Sequence, residues 1–188
     1  MNFSSYIESL IQNQNESLDS NRALQINFLK EIEASLPILE LVLPTQTFVK
    51  EHTIEESKRS VKLFSLGGGH SICDAMLYVP NENVLFAGDL LFVDTHPSLF
   101  EESNPVQWID LLEKVAQLDV EFAIPGHGSV GTRQNLVQQT DYLKELICLA
   151  REPQPYETIP IPEIYKNWSS PEIFTQNLKL LKETLLVK

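Results

Sequence analysis

The sequence predicts an α/β protein with an N-terminal amphipathic helix. Three observations point there: short β-rich runs between polar or glycine-rich turns at the centre, helical periodicity on both sides, and seven glycines confined to Gly67–Gly131. Glycine serves where the backbone takes positive φ or approaches another group closely, so the tight turns belong to the middle of the chain. A length of 188 residues allows one domain with a sizeable core. Its expected parts are a helical lead-in over 1–45, strands and glycine-rich loops over 46–130, and C-terminal helices over 131–188.

The first helix is expected over 18–36, with Leu24, Phe28, Ile32 and Leu36 four apart on one face and Pro37 as the stop. Strands follow around Thr47–Lys50, Val61–Ser65, Ala75–Val79 and Asn83–Ala87, the last two joined by a hairpin turn at Asn81, Glu82 and Asn83. Asn104 is a cap, with Pro105 in the first helical position and Trp108, Leu111, Leu112 and Val115 along the buried face. The chain returns to a strand at Val120–Ile124. A third helix is expected over Thr132–Arg151, with Leu136, Leu143, Ile147 and Ala150 inward. A fourth starts at Ser170-Pro171 and carries Phe174, Leu178, Leu181 and Leu185. The proline-rich segment between them, PQPYETIPIPEIYKNW, reads as extended.

Composition excludes several classes. With 26 acidic against 14 basic residues the net charge is -12, which disfavours nucleic acid and anionic membrane surfaces. Cys73 and Cys148 form no CxxC pair, so neither a disulfide framework nor a cysteine-rich zinc site is expected, and a cytoplasmic location fits best. The opening residues lack a basic start followed by an apolar run, and no stretch of 18 apolar residues occurs, so neither a signal peptide nor a membrane span is expected.

Two of the four histidines stand among glycines, Gly69-His70-Ser71 and Gly126-His127-Gly128, each after an expected strand, and Asp89 follows a third strand as Phe86-Ala87-Gly88-Asp89. Side chains at the ends of separate strands can converge on one sheet edge. Two imidazoles and a carboxylate suit zinc, iron or manganese. Any one of these residues alone reads as a hydrogen-bonded turn residue; the repetition of the same setting three times favours a common site.

The segments GGGHSICDAMLYVP, VLFAGDLLF and IPGHGSVGT, in that order, resemble the later motifs of the metallo-β-lactamase superfamily. The NPVQWIDLLEKVAQLD helix and the tail IPIPEIYKNW with QNLKLL are similar to a bacterial metallo-hydrolase branch of it, so the resemblance runs from about Val61 to the end. It implies the C-terminal portion of a metallo-β-lactamase-like αββα sandwich. It also implies that His70 ligates a first metal, Asp89 bridges two, and His127 ligates a second, with a metal-activated water as nucleophile. The same resemblance implies an upstream HxHxDH motif, which is absent: His52 is the only histidine before His70.

Three further residues are candidates. His96, in Asp94-Thr95-His96-Pro97, is either a substrate contact or a loop residue satisfied by water. Asp74 is either an acceptor that orients His70 from behind or a cap at a strand start. Cys73 is a small core residue or a soft ligand. Two functions follow. The first is metal-dependent hydrolysis of a small molecule, with zinc, iron or manganese at His70, Asp89 and His127. The second is a truncated, inactive remnant or interaction protein that binds metal weakly or not at all. Apolar strand residues such as Phe64, Leu77, Val79, Leu85 and Phe86 are expected to divide between the two sheet faces, and without a covering layer one of those faces is expected to stay exposed and to favour self-association or a partner chain.

Overall fold

The computed structural model describes residues 4, 7, 8, 11, 20–55 and 58–186. The chain divides into two compact units, Met1–Thr47 and Phe48–Lys188. In the first, helix α1 spans Ser20–Ser35 and runs into a single 3-10 turn, Leu36–Ile38, where Pro37 blocks further α-helix. Leu18, the expected first residue, lies outside the described residues. The expected apolar stripe is corrected: Leu24, Phe28 and Leu36 are exposed, and Ile26, Leu29 and Ile32 are the half-buried positions. Spacing of four alone picked the neighbouring face.

The second unit is mixed α/β around a five-stranded sheet of order β1-β2-β3-β4-β5. The strands are β1 (Glu51–Glu55), β2 (Ser60–Phe64), β3 (Met76–Val79), β4 (Val84–Phe92) and β5 (Phe122–His127). The first four pair antiparallel in sequence order, and β5 lies parallel to β4. Helix α2 (Pro105–Val115) makes that crossover, which a parallel neighbour requires. Asn104 caps it by accepting from the Gln107 amide at 3.1 Å. Helix α3 (Arg133–Ala150) starts at Thr132 with a reciprocal Thr132/Asn135 capping box, and α4 (Pro171–Leu186) closes the chain. The side chain of Leu185 lies outside the described residues. The segment expected to be extended holds two short 3-10 turns, Tyr156–Thr158 and Glu163–Tyr165.

Strand β5 starts and ends later than the expected Val120–Ile124 and takes in His127, and two further strand boundaries differ from expectation for physical reasons. Thr47–Lys50 is not a strand; the edge strand is Glu51–Glu55, polar apart from Ile54 and exposed along its length, held by its ladder with β2 and not by an apolar pattern. Strand β4 does not stop at Ala87 but continues to Phe92, and its register with β5 shifts on both sides of Gly88. Gly88 has φ +55, a left-handed conformation that costs a side-chain-bearing residue free energy, and the resulting bulge re-aims the residue after it. That residue is Asp89.

Phe64, Met76, Tyr78, Leu85 and Ala87 form the buried sheet face and join Trp108, Leu111, Leu112, Leu136 and Leu143 in one core. The strand register puts Leu63, Leu77 and Phe86 side by side on the opposite face. Phe86 is 45% exposed there, with Ile54 at 43% and Phe122 at 46%. Among the described residues no helix is long and apolar enough to cross a membrane.

Candidate metal centre

The site is assembled at the end of the sheet where β4 and β5 run parallel. His127 is the last residue of β5, and Asp89 sits in the re-aimed part of β4. His70 comes from the loop between β2 and β3, whose shape is fixed by one carboxylate. Asp74 accepts from the backbone amides of Gly69 (2.8 Å), His70 (2.9 Å) and Ser71 (3.1 Å), and from the Ser71 hydroxyl. Asp74 thus positions His70 through the backbone, not by accepting from its imidazole. The loop is also tied to the start of α2: Asn104 N–H donates to the Gly69 carbonyl at 2.8 Å, and Ser103 donates its hydroxyl proton to the His70 carbonyl.

His70 is 9% exposed, and its ring meets Phe92, Phe100 and Trp108 at centroid distances of 5.8, 5.3 and 5.3 Å. His127 stacks on Phe92 at 4.8 Å with 14° between the planes. One phenyl ring therefore touches both imidazoles and sets their spacing. Phe92 in turn is held by a buried amide: its N–H donates to Gln139 Oε1 at 2.6 Å, while Gln139 Nε2 donates to the Leu90 carbonyl at 2.8 Å. Trp108 Nε1 donates to the same carbonyl at 2.9 Å. Neither Phe92 nor Gln139 was legible as a site residue in the sequence, and Trp108 was legible only as part of a buried helix face. The one signal available was that Gln139 is a polar residue on the apolar Leu136/Leu143 face of its helix.

The three expected donors converge. His70 Nε2 lies 3.8 Å from Asp89 Oδ2, and His127 Nε2 lies 3.5 Å from Asp89 Oδ1, so each imidazole faces a different carboxylate oxygen. Both separations exceed hydrogen-bond length. They approach the ~3.3 Å between two ligands of one tetrahedral ion with bonds of about 2.0–2.1 Å. Gly126 makes room for this: a Cβ at that position would run into Asp89 Oδ1. Asp89 and His127 side chains are half or more exposed, so the site opens to solvent. His70 Nδ1 is buried without a hydrogen-bond partner. Among the described residues no three His, Cys, Asp or Glu side chains close into a metal cage. The triad fits a divalent ion in donor type, as two pairs sharing Asp89.

His52 cannot complete it. It lies on β1, three strands from β4, and at about 4.8 Å per strand that is ~14 Å. His96 is not at the loop surface: it is 1% exposed. Its Nδ1 is 2.9 Å from the Tyr142 hydroxyl, and Tyr142, Trp168 and Phe174 surround the ring. Burial lowers the His96 pKa, opposed by the Glu172 charge and the Tyr165 carbonyl. Burial also raises the Tyr142 hydroxyl pKa, and pushes that of Tyr165 up to about 12. Cys73 is exposed and so is not a core residue.

A family model described as the metallo-beta-lactamase superfamily matches residues 7–127, which include all three donors. The chain belongs to that superfamily. The match starts well upstream of Val61, where the recognisable motifs begin. The metallo-beta-lactamase type 2 of Bacteroides fragilis is 27% identical over 104 residues, covering 53% of this chain and 41% of that protein. The chain thus spans about two fifths of the length of that relative. A solved metallo-beta-lactamase from Pontibacter korlensis superposes with a TM-score of 0.50 at 17% identity, covering 75% of this chain and 76% of that one. The metallo-beta-lactamase DIM-1 gives a TM-score of 0.50 at 22% identity, covering 63% and 54%. These structural likenesses establish a partial superfamily fold.

Proposed function

We propose that this chain carries a metal-dependent hydrolase site of the superfamily's kind, in which His70, Asp89 and His127 hold a divalent ion, zinc before iron or manganese. The observation that supports this most is the Asp89 carboxylate, which turns one oxygen to each imidazole at separations too long for hydrogen bonds. A divalent ion there would acidify water and polarise the scissile carbonyl or phosphoryl group. The chain's own contributions are distinct. Phe92 fixes the two imidazoles against each other, the Asp74-capped loop delivers His70 from a dry side, and the open side at His127 admits a small substrate.

A second reading has its own support. The matched region contains no HxHxDH segment, so three donors stand where the resemblance implies seven. On that reading the site binds one ion and turns over little or nothing. The two separate in one experiment. The purified chain, loaded with zinc, manganese or iron(II), is assayed against a lactam, a lactone, a thioester and a phosphodiester, beside Asp89→Asn. Metal-dependent hydrolysis that Asp89→Asn abolishes is the expected result. Metal binding without turnover selects the second reading, and turnover indifferent to Asp89→Asn overturns the site.

A further inference from the structure

A cavity of about 390 Å³ lies away from the triad, between the β1–β2 edge of the sheet and the C-terminal end of α2. That volume is within the ~300–1,000 Å³ of small-molecule sites. Its floor is apolar: Phe64 and Tyr78 from the sheet, Val115 and Leu118 from the helix end. Its walls are basic, with Lys50, Lys62 and Lys114. In a chain of 14 basic and 26 acidic residues, three lysines around one cavity reverse the prevailing charge. Lys62 is paired with Glu51 at 2.8 Å, which also occupies the carboxylate that lines this side. Among the described residues Lys50 and Lys114 have no carboxylate partner. Tyr78 is not available as a donor, because its hydroxyl donates to the Asp119 carbonyl at 2.7 Å.

We propose that this cavity binds a small amphiphilic anion, its apolar body on Phe64, Tyr78, Val115 and Leu118 and its carboxylate, sulfonate or phosphate head between the lysines. An apolar floor alone would take any hydrophobe, and lysines alone would take any anion; their juxtaposition selects molecules that carry both. The cavity also reaches the metal-site loop. Ser65 and Leu66 line it, the Ser65 hydroxyl donates to the Asp74 carbonyl at 2.6 Å, and the Asp74 carboxylate caps the loop at His70. Occupancy and metal chemistry are separate claims, and the test does not depend on activity.

The test is a titration of the full chain with naphthalene-1-sulfonate, followed by amide NMR shifts. Neutral 1-methylnaphthalene and inorganic sulfate are the controls. Expected are saturable shifts at Lys62, Phe64, Ser65 and Leu118, at least tenfold weaker binding of methylnaphthalene, and no saturation by sulfate. Lys114→Glu should weaken naphthalene-1-sulfonate binding about tenfold while the spectrum stays dispersed. Lys50→Met with Lys114→Met repeats the test without an added acidic charge, should the first variant not fold. Shifts centred on Leu77, Phe86 and Phe122, equal binding of the neutral control, or affinity unmoved by the lysine changes would overturn the proposal.

Discussion

Replacing Gln139 by leucine tests how β4 is held beneath the metal site. The side chain is 1% exposed and makes two bonds to the β4 backbone, accepting from Phe92 N–H and donating to the Leu90 carbonyl. Leucine has similar bulk and offers neither. The Phe92 amide would be left buried and unpaired, at a cost of about 1–3 kcal/mol. The Leu90 carbonyl would fare better, because Trp108 Nε1 still donates to it. We therefore expect Gln139→Leu to lose about 2 kcal/mol in urea unfolding, or roughly 4–8 °C in Tm for a chain of this size. The shared acceptor adds a sharper expectation. Trp108→Phe in the Gln139→Leu background removes the last donor to Leu90, so the double variant should lose about 1 kcal/mol more than the sum of the singles. A Gln139→Leu loss below about 0.5 kcal/mol, or strict additivity with Trp108→Phe, would refute this account of the strand.

Gly126→Ala would put a methyl group against Asp89 Oδ1 and 2.9 Å from the β4 backbone at Gly88 and Asp89, so β4 must shift locally and the Asp89 carboxylate with it; zinc binding by calorimetry should weaken at least tenfold, and unchanged binding would place Asp89 outside the site. His96 is buried with a lowered pKa, so the unfolded chain binds its proton first. Its contribution to stability is complete above pH ~6.5 and is lost as pH falls below that value toward the folded pKa, so His96→Gln should show a shallower acid decline between pH 7 and 5 in unfolding titrations. Phe86→Lys, on the exposed sheet face, should change stability by less than about 0.5 kcal/mol yet reduce hydrophobic-dye fluorescence and any concentration-dependent sedimentation. A large destabilisation there would mean that the face is covered in solution.

Local signals in the sequence translated directly into structure. Asn104-Pro105 and Thr132 start helices because a cap needs only residues two or three positions on. The three metal-type donors were legible through their glycines, although for partly different reasons than the pattern suggested. Gly88 bends a strand that continues, so Asp89 does not end it, and Gly126 clears space for a side chain from another strand. What depended on distant partners was not legible. Glu51–Glu55 is polar and becomes a strand only by pairing with β2. His96 is buried by Tyr142, Trp168 and Phe174, 46 to 78 positions later, and nothing in Asp94-Thr95-His96-Pro97 announces that cage. The roles of Phe92 and Gln139 depend likewise on the α3–β4 contact.

Everything proposed for the site depends on Asp89 joining His70 and His127 around one metal ion. The most direct test is the imidazole nitrogen spectrum of the full chain during zinc titration. The His70 and His127 resonances should shift together and saturate at one ion per chain, those of His52 and His96 should stay in place, and Asp89→Asn should remove the joint response. A response confined to His127, or one that His52 shares equally, would contradict it.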